Sequence, residues 1–79
     1  MYLSDIIKPL IDQKLKEMCV GKKVLIHPME NNEKEITINC KSVEFGDDDG
    51  DCWLEFIDDQ GKEYNVFGQG IDVYFKIVE

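Results

Sequence analysis

Ile36-Thr37-Ile38-Asn39-Cys40-Lys41-Ser42-Val43-Glu44-Phe45 is the stretch whose reading decides the fold. As far as Cys40 the apolar side chains occupy even positions, and from Val43 they occupy odd ones. Strand side chains alternate between faces, so this stays one half-buried strand only if a residue is inserted near Lys41 or Ser42, as in a β-bulge. A bulged, sharply bent second strand is how small barrels turn a corner.

On the C-terminal side, Gly46-Asp47-Asp48-Asp49-Gly50 reads as a five-residue hairpin connection. Cys52, Leu54 and Phe56, alternating with Trp53, Glu55 and Ile57, predict a third strand, and Asp58-Asp59-Gln60-Gly61 the next turn. Glu63 to Phe67 predicts a fourth strand, Gly68-Gln69-Gly70 a tight connection, and Ile71 to Val78 a fifth strand with Val73, Phe75 and Ile77 on one face. On the N-terminal side, Pro28 stops a first strand over Lys23 to His27, and Glu30-Asn31-Asn32-Glu33 is a polar loop.

Ahead of Gly21 the period is helical. Leu3, Ile6, Ile7, Leu10, Ile11, Leu15 and Met18 recur at spacings of three and four, an amphipathic stripe that predicts a helix from about Ser4 to Cys19. Ser4 is the expected N-cap, and Gly21 stands where a left-handed residue ends a helix. Pro9 lies inside the stripe, so either the helix starts near Lys8 or Pro9 faces solvent and bends the first turn.

This order of elements resembles the Sm-like variety of the SH3-type small barrel. Val66-Phe67-Gly68-Gln69-Gly70-Ile71 looks like the hydrophobic-Arg-Gly-x-x-hydrophobic signature of Sm proteins, with Phe67 in place of the arginine. The Asp-x-Met-Asn-type segment between the second and third strands is missing, so the family's uridine-binding residues have no counterparts here. The resemblance therefore implies the barrel and not the RNA chemistry. The expected fold is α+β, an N-terminal helix packed on a five-stranded antiparallel SH3-like or Sm-like barrel. It forms one domain over residues 1–79, with the helix about 4–19 and the barrel about 22–79.

Composition narrows function mainly by exclusion. The chain has 79 residues, a net charge of −8, and no arginine. Residues 1–41 carry seven lysines against six acids, and residues 42–79 two lysines against eleven acids. A surface that tracks phosphates needs the opposite balance, so direct nucleic-acid binding is not expected. Glu44, Asp47, Asp48, Asp49, Asp51, Glu55, Asp58 and Asp59 have no base between them, and on adjacent hairpins they would make one end strongly negative. Cys19, Cys40 and Cys52 form no C-x-x-C pair and cannot all be paired, which fits a reducing cytoplasm. Asp5, Lys8 and Pro9 interrupt any secretory h-region, and Val24-Leu25-Ile26 is far short of the roughly 20 residues of a membrane span. Abundant Lys, Ile, Asn and Asp without Arg hint at an AT-rich bacterial genome, phage or mobile element.

Chemistry finds little to stand on. With Gly50 at the invariant sixth position of an EF-hand loop, Phe45 and Phe56 fall where Asp and Glu ligands are required, so the aspartate run reads as a solvated turn rather than a calcium loop. His27, Cys40 and Cys52 lack the close pair typical of small zinc sites, and the two thiols sit at apolar-face positions. No metal, cofactor or catalytic residue is expected. Trp53, Ile57, Tyr74 and Val78 lie on the strand face opposite Cys52, Leu54, Phe56, Val73, Phe75 and Ile77. Either the helix covers that face, or Trp53 and Tyr74 anchor a partner. The leading reading is a non-catalytic protein-interaction module. Its binding residues would be Trp53, Tyr74, Asp47, Asp48, Asp49, Asp51, Asp58 and Asp59, and its partner another protein, a basic one by charge, with self-association as a variant. The alternative is an acidic nucleic-acid mimic that blocks a nucleic-acid-binding protein.

Overall fold

The computed structural model describes residues 1–28, 34–48, 50–68 and 72–78, without the side chain of Ser4. The polar loop at 30–33, Asp49, and the Gln69-Gly70-Ile71 part of the Sm-like motif and its connection lie outside the described residues. A helix, α1 (Leu3–Cys19), is followed by β1 (Lys23–Ile26), β2 (Ile36–Asp48), β3 (Asp51–Asp58), β4 (Glu63–Phe67) and β5 (Lys76–Ile77). The strands form one antiparallel sheet in the order β4-β3-β2-β1-β5. The protein is α+β, a helix on a five-stranded sheet.

β2 pairs with β1 through Ile36 to Asn39 and with β3 from Cys40 onward, and the register slips between Cys40 and Ser42. The hand-over from one partner to the other thus coincides with the bulge that the parity change predicts. On both sides of it the apolar residues Ile38, Cys40 and Val43 are buried. The ladder of β2 and β3 continues to Asp48↔Asp51, so Gly46 to Asp48 belong to the strand rather than to a five-residue loop. Gly50, just before β3, adopts φ +86°, open only to glycine at little cost.

Two further expectations are corrected. The fifth strand shrinks to Lys76–Ile77, although Val73, Phe75 and Ile77 still turn one way, half-buried, while Asp72, Tyr74, Lys76 and Val78 are exposed. The sheet is also not closed: among the described residues β4 pairs only with β3, and β5 only with β1. A two-residue strand satisfies too little backbone to serve two neighbours.

α1 begins at Leu3, one residue before the expected cap. Asp5 rather than Ser4 organises the first turn, its carboxylate accepting the Tyr2 N–H at 2.9 Å. The helix runs through Pro9, which faces solvent, and ends before Gly21 at φ +83°. Leu15 and Cys19 are buried with Val24, Ile26, Ile38, Val43, Leu54, Phe56, Tyr64 and Val66, and Ile11 packs against them. Asp12 pins the helix to the sheet. Its Oδ1 accepts the Phe45 N–H at 2.6 Å and its Oδ2 the Lys8 ammonium at 2.7 Å.

Candidate functional site

The apolar residues of α1 come in doublets, Tyr2-Leu3, Ile6-Ile7 and Leu10-Ile11, repeating every four residues. One broad apolar stripe, spaced i, i+3, i+4, i+7, takes in both members of each doublet, so what matters is which members the sheet covers. Ile7 and Ile11 are half-buried and Leu15 buried on the sheet side, Leu3 lines the same side but is 69% exposed, and Tyr2, Ile6 and Leu10 are exposed. Between that side of the helix and the sheet runs a groove of about 630 Å³. Phe45, Cys52 and Leu54 form its floor, and Val73 and Phe75 its far wall. Asp47, paired with Cys52 in the ladder, stands in its lining at the hairpin end.

The helix therefore covers the Cys52, Leu54 and Phe56 side of the sheet, and it leaves Trp53 to the other side. Trp53 pairs with Gly46 on β2 and Phe67 on β4, and its ring meets Phe67 at 5.7 Å. It lies over Gly46 so closely that a Cβ there would collide with the indole. Tyr74 is 66% exposed on the side of the C-terminal segment opposite Val73 and Phe75. Among the described residues Trp53 has its ring contact with Phe67 and none with Tyr74. The two aromatics are separate features, not one anchor.

The acids are also divided. Asp47, Asp48 and Asp51 are exposed at the β2–β3 end, whereas Asp58 and Asp59 lie at the opposite end of β3, about 23 Å away at strand rise. Consecutive hairpins of a meander point in opposite directions, so the acids do not gather at one end. Glu44 and Glu55 sit directly opposite each other on the outer face between those ends, with Glu63 and Asn65 around the same shallow depression.

Asp58 is buried, at 8% exposure, and its carboxylate serves its own turn. Oδ1 accepts the N–H groups of Gln60 and Lys62, both at 2.9 Å, and Oδ2 the Tyr64 hydroxyl at 3.1 Å. The Lys62 N–H, against the opposing effect of burial and together with Gln60 and Tyr64, holds the carboxyl below its ordinary range. Because the folded-state pKa is depressed, the stabilisation is present above the unfolded value of about 3.9 and is lost as pH falls through the lower folded one. Asp58→Asn is expected to lower the melting temperature at neutral pH and to converge on wild type in strong acid. Equal offsets at both pH values in thermal melts would contradict this. Asp59 is exposed and accepts a hydrogen bond from the Asn39 amide at 3.3 Å.

Cys40 pairs with Asp58 and Cys52 with Asp47, at opposite ends of the ladder, so one ion cannot take both thiols. Cys19 and Cys40 are buried, and desolvation pushes both thiols up, Cys19 to about 11. Cys52, in the groove floor, is the least buried of the three thiols, at 7% exposure. Among the described residues no helix is long and apolar enough to cross a membrane. The chain matches no known protein family, no curated protein and no solved structure.

Proposed function

We propose that the chain is a small non-catalytic protein-interaction module that docks its partner in the groove beside α1. The observation that carries this reading is the apolar groove itself, continued across the exposed Leu3, Ile6 and Leu10 of the helix. A contiguous apolar surface of this kind on a small acidic domain marks an interaction site. We read the bent meander, with β1 and β5 paired, as an open relative of the SH3-like and Sm-like barrels. The buried free thiols and the arginine-free composition support a cytoplasmic, bacterial or mobile-element setting.

Leu3 is 69% exposed, so Leu3→Asp is expected to keep the wild-type melt. Crosslinking in the native host, read by mass spectrometry, should lose its partner with this variant and retain it with Trp53→Ala. Retention of every partner by Leu3→Asp would overturn the reading.

The nucleic-acid mimic gains one observation in its favour. Glu44, Glu55 and Glu63 fill the outer face between the acidic ends of β3, a longer footprint than two hairpin tips provide. This second reading requires salt-sensitive displacement of DNA from a basic host factor. A failure to compete at any ionic strength removes it.

A further inference from the structure

We infer that the groove receives a cationic amphipathic helix, an inference that rests on the docking role proposed above. Three features select this occupant. The first is charge: Asp47 is in the lining, exposed Asp48 and Asp51 lie beside it, and exposed Asp72 flanks the Val73 wall. Lys8, on the adjoining turn of α1, is already engaged by Asp12. A flank of Lys or Arg on the incoming segment meets complementary charge, whereas a second copy of this chain would bring its own charge of −8.

The second feature is the floor's backbone. β3, which supplies Cys52 and Leu54, is paired on both sides, with β2 and with β4, and on β2 the outward Phe45 N–H is given to Asp12. An extended peptide on that floor would bury unpaired N–H and C=O groups, but a helix arrives with its backbone satisfied. The third is the shape of the wall. Leu3 and Ile7 stand one turn apart at the less buried end of the wall, the start of a ridge against which another helix packs its own apolar row.

The test uses the full chain and three fluorescent peptides of about 18 residues, five helical turns. One carries leucines at i, i+3, i+4 and i+7 with lysine elsewhere, the second is its scrambled isomer, and the third replaces lysine by glutamate. The striped cationic peptide should bind about tenfold or more tightly than either control by anisotropy. It should also protect Cys52 from maleimide labelling mapped by mass spectrometry. Leu3→Asp should weaken it about tenfold, Tyr74→Asp should not, and neutralising Asp47, Asp48 and Asp51 to Asn should weaken it at low salt only.

Equal binding of the scrambled or glutamate peptide, binding that leaves Cys52 open, or no binding overturns the helix inference. The groove reading survives those results if Leu3→Asp still loses its crosslinked partner. Concentration-dependent self-association that protects Cys52 without peptide identifies a second copy as the occupant and also overturns the inference.

Discussion

Phe56→Ala is expected to lower the free energy of unfolding by about 3 to 5 kcal/mol, a large share of the total for a chain of this size. Phe56 is fully buried at the centre of β3, between Val43 on β2 and Tyr64 on β4. Its ring meets that of Phe75 edge-on, with centroids 6.1 Å apart. Removing it takes away the most heavily desolvated aromatic of the core and the support of the groove's far wall. Phe67→Ala is the contrast, because that ring is on the other face, 47% exposed against Trp53. Urea unfolding should give a much smaller loss for Phe67→Ala, with the larger change in tryptophan emission. Comparable losses for the two would mean that the core does not lie on the helix side of the sheet.

Asp12→Ala should cost about 1.5 to 3 kcal/mol, the range for a hydrogen bond to a charged group. The carboxylate joins α1 to β2 through the Phe45 N–H, and without it that donor faces the helix with no acceptor from Asp12. Burial alone would raise the Asp12 pKa, but the Lys8 ammonium and the Phe45 N–H more than offset it, and the net direction is down. The contribution is therefore complete above the unfolded value of about 3.9 and fades as pH falls through the folded one. Asp12→Asn, which keeps an oxygen for Phe45, should recover much of the loss at neutral pH. A double-mutant cycle with Lys8→Ala isolates the ion pair, which is partly exposed and should account for the smaller part. A loss from Lys8→Ala as large as that from Asp12→Ala would assign the anchoring to the wrong bond.

The bulge was legible because a strand has a strict period of two, so one inserted residue between Cys40 and Val43 moves every later apolar side chain to the other parity. The helix end at Gly21 and the fourth strand were legible for similarly local reasons. The length of β5 was not, since it depends on how much of β1 remains to pair with residues about fifty positions away, and periodicity carries no such term. Asp58 was misplaced because an aspartate in a turn looks solvated until the N–H groups aimed at it are known. The groove was not legible: one apolar stripe on α1 and one alternating strand face each predict burial, and neither says how much of the other it covers.

The C-terminal wall of the groove is tied down by a very small ladder. Val24↔Ile77 and Leu25↔Lys76, with the Val78 N–H bonded to the Lys23 carbonyl, are the described main-chain ties of β5 to β1, whereas the floor strands are paired over their whole length. The free energy of freeing this tail is accordingly well below that of melting the meander, which makes it a separate cooperative unit at the low end of the stability scale. The width of the groove is thus set on one side by the shortest ladder of the sheet. An occupant that grips Val73 and Phe75 also restrains the least-tied segment of the sheet.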